Sequence, residues 1–256
     1  MAEATEKEDR QTKKRLIELA EKSYKENRFT FSGFLGMAET SLLYGAMAEY
    51  GSSAFTLWGG YEDSERQIVR FGDPTELGYE EDFPVVCIRI IPLLKKFADE
   101  LSHRDFLGAL MNLGIERDTL GDILVKEREG YVFVHEKMAD FICENLTRVR
   151  HTSMRCERCE ELAEVLKKEP VDKSIVTASS RADSILAKVY QLSRSQSLLL
   201  FQEKKVYVNG RLFENNSGIL KEGDVVAVRG HGKFIYRGVQ YQNKKGKFCI
   251  QIGVYV

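Results

Sequence analysis

A chain of 256 residues, 43% hydrophobic and 30% charged, has the composition of a folded protein with room for two or three domains, which excludes native disorder. No run of about 18 apolar residues occurs, so no membrane-spanning helix is expected. The opening "MAEATEKEDRQTKKR" has no apolar stretch for a signal peptide, so a cytoplasmic location with five reduced thiols is expected. The net charge of −1 conceals a split. Residues 180–256 hold 13 Lys and Arg against 5 Asp and Glu, which leaves the preceding residues with a balance of −9. A compact basic segment on an acidic body points to a polyanion reader joined to something that is not one.

In chain order, the spacing of Leu16, Ile17, Leu19, Ala20 and Tyr24 predicts an amphipathic helix over 6–27. "FTFSGFLG" reads as a glycine-rich turn, followed by a second helix over 37–50 that Gly51 ends. Strands are expected at 53–58 and 66–71 around a Gly-Gly turn, with a breaker at Asp73-Pro74. Residues 1–80 are therefore expected to form a small N-terminal α+β domain.

Residues 81–160 carry a second pattern. "PVVCIRIIPL" is a strand, and Phe106, Leu107, Leu110 and Leu113 recur at helical spacing before Gly114. "GDILVKERE" and "GYVFVHEKM" are two strands parted by a Glu129-Gly130 turn; "MADFICENLTRVR" is a helix and "HTSMRCERC" a closing strand. The order βαββαβ is that of a ferredoxin-like (RRM-like) domain. Residues 161–173, charged and ending after Glu169-Pro170, are expected to be a linker, with 174–256 a third domain closed by a β-hairpin.

The basic segment holds two short helices, "RADSILAKVY" and "SRSQSLLLFQEK". Ser193 is a good cap for the second, whose N-terminal amides and dipole favour a phosphate, and Arg194 stands at the same end. "KVYVNG" is a strand entering an Asn209-Gly210 hairpin turn, and "GDVVAVRG" another strand. Lys244, Lys245 and Lys247 crowd a final turn.

The run from Arg181 through "LSRSQSLLLFQEKKVYVNG" to "GDVVAVRGHGKF" resembles an S4 (αL-type) RNA-binding domain over 180–237. The resemblance implies a surface that holds structured RNA by shape and phosphate contacts. Carried over by position, the RNA contacts would be Arg181, Ser193, Arg194, Ser195, Lys204, Lys205, Asn209, Arg229 and Lys233, with Asp183 orienting Arg181. Two positions depart from the pattern: Ala182 stands where Leu is usual, and Glu203-Lys204-Lys205 replaces a turn that usually carries Gly.

"WGGYEDSERQIVRFGDP" (58–74) and "LSHRDFLGALMNLGIERDTLGDILV" (101–125), ahead of such a module, resemble the YlmH family of bacterial S4-domain proteins. That resemblance implies a non-enzymatic RNA-binding protein on obstructed large ribosomal subunits. Ribosomal RNA and peptidyl-tRNA would be its partners, with a link to cell division and a protein partner for the acidic N-terminal half. The alternative is an RNA-modifying enzyme of the pseudouridine-synthase kind with the S4 domain as targeting arm. Against it, no catalytic motif, dinucleotide fingerprint or P-loop is found, and no cofactor is expected. His103 and Arg104, projecting from a helix start capped by Ser102 and Asp105, are candidates for an auxiliary RNA contact. Cys156 and Cys159 form a lone C-x-x-C with no second pair, so no metal is expected.

Overall fold

Helix α1 (Ala2–Glu26) turns Leu16, Ala20 and Ser23 inward at the spacing of a 3.6-residue turn. Ser23 takes the place expected for Tyr24, which is 83% exposed; the Ser23 hydroxyl donates to Arg28 O at 2.7 Å and Phe71 O at 3.1 Å. The structure, a computed structural model, describes residues 2–51, 54–159 and 169–255.

After α1 come β1 (Thr30–Leu35), α2 (Met37–Tyr50), β2 (Phe55–Trp58), β3 (Gln67–Phe71) and the short α3 (Pro74–Leu77). The segment expected as a glycine-rich turn is instead strand β1, paired antiparallel to β3 in a sheet of order β1-β3-β2. The register shifts between Phe31 and Phe34, so the glycine between them marks a bulge and not a chain reversal. Gly36 precedes α2, where its amide donates to Glu39 Oε2 at 2.7 Å. Helices α1 and α2 cover one face of this sheet around Leu16, Leu43, Val69 and Phe71. Asp73-Pro74, expected as a breaker, starts α3: Asp73 accepts from Thr75 N at 2.7 Å, with Pro at the first helical position.

The central layer runs β4 (Val85–Pro92), α4 (His103–Met111), β5 (Leu120–Lys126), β6 (Glu129–His135), α5 (Ala139–Asn145), β7 (Arg148–Val149) and β8 (Thr152–Arg158). Its antiparallel sheet has the order β5-β6-β4-β8-β7, the ferredoxin-like arrangement of βαββαβ. Two local expectations change. The β5–β6 turn lies at Glu127-Arg128, both at positive φ (49° and 70°), while Glu129 and Gly130 belong to β6. Gly130 is small because α4 lies on it: a Cβ there would sit 2.6 Å from Phe106 Cε1. Helix α5 ends at Asn145, and Arg148–Val149 instead pairs with Thr152–Ser153.

Alternation along the central strands builds two apolar faces. Ile88, Ile90, Val132 and Val134 pack with Phe106, Leu110 and Ile142 beneath α4 and α5. The opposite residues, Cys87 and Phe133, pack against Phe34 and Ile68 of the N-terminal sheet. Burial of each of these phenylalanines is worth about 1.5–3 kcal/mol. The layers expected as separate domains over 1–80 and 81–160 thus share a core and lie in one compact unit, 1–167.

A polar cluster fastens the same seam. Asp122 accepts from Tyr61 Oη at 2.8 Å, Glu65 N at 2.7 Å and Arg66 N at 3.1 Å. The Arg66 guanidinium donates to Leu120 O and Phe34 O, both at 2.9 Å. Burial, then the charge of Arg66, pushes the Arg117 guanidinium down to about 10.

The second unit, 168–256, contains β9 (Val171–Thr177), α6 (Ala182–Val189), α7 (Arg194–Gln202), β10 (Val206–Val208), β11 (Arg211–Leu212), β12 (Val225–Val228), β13 (Gly232–Gln242) and β14 (Phe248–Val254). Its antiparallel sheet has the order β11-β10-β12-β13-β14-β9. Of the expected linker 161–173, residues 161–168 lie outside the described residues, and 171–173 are strand, since β9 pairs with β14 from Val171↔Val254 to Thr177↔Phe248. Ile185, Leu186, Leu200, Val226, Phe234 and Ile250 form the core, with Ala182 fully buried where a larger residue was expected. Among the described residues no helix is long and apolar enough to cross a membrane.

Replacing Asp122 with Ala leaves three donors of the seam without their acceptor. The unfolding free energy of the first unit should fall by about 2–4 kcal/mol. Urea unfolding followed by fluorescence reads this unit alone, because Trp58 is the single tryptophan; a loss below about 0.5 kcal/mol would make the cluster incidental.

Candidate nucleic-acid interface

The start of α6 is built on a buried acid. Asp183, only 2% exposed, receives Arg181 in a two-pronged pair: Nη2 at 2.7 Å from Oδ2 and Nε at 3.1 Å from Oδ1. Asn216 Nδ2 adds a contact to Oδ2 at 3.4 Å. The guanidinium is 37% exposed, so an oriented cation with further N–H donors reaches solvent. The buried Ser197 hydroxyl donates to Asp183 O at 2.7 Å and ties the first turns of α7 to the start of α6.

Ser193 caps α7: its Oγ accepts from Gln196 N at 3.3 Å, and Gln196 Oε1 accepts from Ser193 N at 2.9 Å. Arg194 and Ser195 are exposed in the first helical turn, with the Ser195 hydroxyl 3.1 Å from that of Ser193. Arg181 thus stands at the start of α6, and Ser193, Arg194 and Ser195 at the start of α7, two helix starts that the Ser197–Asp183 bond ties together. That combination suits a phosphate.

The end of α7 resolves the replaced glycine. Lys204 takes the left-handed conformation (φ 54°) in its place; Lys204 N donates to Phe201 O at 3.0 Å and Lys205 N to Leu200 O at 2.9 Å, the Schellman pattern. Lys204 lies 3.8 Å from Glu214, and Lys205 lies 2.6 Å from Glu203. Arg229 N donates to Lys205 O at 2.9 Å, which sets the exposed Arg229 opposite Lys205 across β10 and β12. Lys233, paired with Ala227 in the β12–β13 hairpin, holds its Nζ 4.3 Å from the Tyr255 ring centre. Asn209 stands at the other end of β10. With Gly210 it makes the hairpin turn (φ 50° and 76°), and its side chain accepts from Val225 N at 2.9 Å and donates to Asp224 Oδ1 at 2.8 Å. Both of its polar atoms serve the fold.

In the first unit, Asp105 Oδ2 accepts from Ser102 N at 2.8 Å and Ser102 Oγ at 2.7 Å at the start of α4. His103 follows; burial, then the charge of Arg117, holds its pKa below the ordinary value. Arg104 lines an open cleft of about 550 Å³ together with Arg148, Arg150, Gly108, Asn112 and Asn145. The two later arginines were missed in sequence because 138–150 read as one helix. The β-branched Thr147 and Val149 around Arg148 were the signal for a short strand.

Cys156 and Cys159 fall on opposite faces of the central sheet. Cys156 packs with Cys143 against the helix-side core, whereas Cys159 joins the seam, its amide donating to Cys87 O at 2.8 Å. The C-x-x-C is therefore not a chelating pair. Burial pushes the Cys156 thiol up to about 12.

Two compact units, one of them built on a ferredoxin-like domain, define an α+β protein with basic guanidinium clusters in each. Residues 79–162 match the family model described as "Putative RNA-binding domain in YlmH". Over 229 residues the chain is 28% identical to the ribosome-associated protein quality control protein P2 of Bacillus subtilis (strain 168), an alignment covering 87% of this chain and 86% of that protein. The solved cell division protein ylmH from Streptococcus pneumoniae matches 59% of this chain and 91% of its own, at 24% identity and a TM-score of 0.48. The resemblance to the YlmH family is borne out.

Lys204→Gly should stabilise the second unit by about 0.5–1 kcal/mol by relieving a left-handed non-glycine residue. Calorimetry of the full chain measures this; a destabilised variant would show that the lysine's ion pairs outweigh the strain.

Proposed function

We propose that this chain is a non-enzymatic RNA-binding protein of ribosome-associated quality control. Its C-terminal unit acts as an S4-type module that docks on structured RNA of a large ribosomal subunit carrying peptidyl-tRNA. The name of the Bacillus relative and the description of the matched domain support the setting. The observation that carries the reading is the Arg181–Asp183 pair beside the capped start of α7. A buried carboxylate fixes one guanidinium in advance, so little side-chain freedom is lost when a phosphate arrives.

The mechanism is differential binding. Arg181, Arg194 and the α7 amides would meet phosphates at the α6–α7 corner, and Lys204, Lys205, Arg229 and Lys233 would extend the contact along the sheet edge. Such contacts read the shape of folded RNA and need no base readout. Holding one state of the obstructed subunit requires no bond to be made or broken.

Arg181→Ala with Arg194→Ala removes the cation paired with the buried Asp183 and should cost the second unit up to about 3–5 kcal/mol, whereas Arg194→Ala alone should leave its melting temperature nearly unchanged, so both variants are melted before binding is read. In sucrose gradients, co-migration with large subunits should fall by roughly tenfold or more in affinity. The log–log salt slope should flatten by about 1.5, at roughly 0.7–0.9 per phosphate contact. Unchanged migration would sink the proposed surface.

A further inference from the structure

RRM-like domains commonly stack bases on the open face of their sheet. In this chain that face is taken: Phe34 and Ile68 lie on Cys87 and Phe133. Beyond this seam, Arg89 Nη2 is held at 2.7 Å by the buried Glu129, which also pairs with Lys95. The seam covers the Cys87 and Phe133 part of that face and Glu129 engages Arg89 on the rest; the cleft of the same domain offers a different surface.

The cleft between α4 and the segment joining α5 to β8 has the chemistry. Arg104, Gly108 and Asn112 are four apart and line one face of α4. Arg148 lies on β7 beside the buried Val149 and Arg150 in the turn that follows, and both line the cleft. Among the described residues, the side chains of Arg104 and Arg148 make no hydrogen bond or ion pair. The one lining carboxylate, Asp105, is engaged by Ser102 and by Arg150 Nε at 3.4 Å. The wall is cationic, with the amides of Asn112 and Asn145 beside it.

Two residues of this cleft are not the ones local stability alone would favour. Gly108 sits inside α4, where alanine is more stable, yet nothing lies within 4 Å of the position a Cβ would occupy. Arg150 holds φ 53° as the first residue of the two-residue β7–β8 hairpin turn, a place that glycine or asparagine fills more easily than arginine. Both become intelligible if an anionic chain passes closely over the bare helix backbone and the arginine is required where it stands.

We infer that this cleft is a second RNA site, which binds the phosphodiester backbone of folded RNA through Arg104, Arg148 and Arg150, with the strand lying against Gly108. The inference rests on the reading of the chain as an RNA-binding protein and adds a contact surface outside the C-terminal unit.

The test uses the full chain and deproteinised large-subunit RNA in filter binding across salt. The variant Arg104→Ala, Arg148→Ala, Arg150→Asn should bind at least roughly tenfold more weakly, with a salt slope flatter by about 2. Gly108→Ala should raise the melting temperature by about 2–4 °C. Gly108→Gln, an equally good helix former, should melt no lower than wild type yet bind several-fold more weakly because its side chain fills the cleft. If both cleft variants bind like wild type while Arg181→Ala with Arg194→Ala binds poorly, the second site is wrong and the RNA-binding reading stands. If the cleft variants lose only co-sedimentation with intact subunits, the cleft meets a protein and the inference fails. If wild type binds no RNA, the broader reading falls with it.

Discussion

The carboxylate of Asp122 is the contact on which the first unit depends. It receives Tyr61, Glu65 and Arg66 from the loop joining β2 to β3 while sitting on a strand of the central sheet. Arg66 completes the cross-link by reaching Phe34 O and Leu120 O on either side. The apolar seam of Phe34, Ile68, Cys87 and Phe133 supplies area, and the polar cluster supplies register. An unpaired acceptor or donor at such a junction would cost about 1–3 kcal/mol, so the arrangement is selective for one way of joining the sheets. The seam also covers part of the sheet face that RNA-binding domains of this topology commonly use.

The same device, an acid that fixes an arginine, recurs where cations face outward. Asp183 holds Arg181 at the α6–α7 corner, and Asp105 meets Arg150 at the cleft. In each case the acid orients the guanidinium and leaves donors for a ligand. The acidic and basic residues of the chain are therefore not opposed halves; part of the acidic complement organises the basic surfaces.

Local features were legible in the sequence. The helix ending at Gly51, the cap at Ser193 and the turn at Asn209-Gly210 depend on neighbours a few residues away, and each stands where its residues indicate. The ferredoxin-like order also followed from periodicity. What escaped was set by distant contacts. Gly130 reads as a turn until Phe106 is seen lying on it, and "FTFSGFL" reads as a loop until β3 is found beside it. The two distinctive strings at 58–74 and 101–125 were recognisable, but that Tyr61 and Arg66 of one meet Asp122 of the other was not. The α6–α7 corner was visible because its residues are close in sequence. The cleft was not, because Arg104 and Arg148 lie 44 residues apart and the second was assigned to a helix.

A cryo-electron microscopy map of the full chain bound to native large ribosomal subunits tests the central claim most directly. The account predicts RNA phosphate oxygens within hydrogen-bonding distance of the Arg181 and Arg194 guanidiniums, with the Arg181–Asp183 pair intact. A map in which the α6–α7 corner faces solvent or ribosomal protein, with no RNA against either arginine, would contradict it.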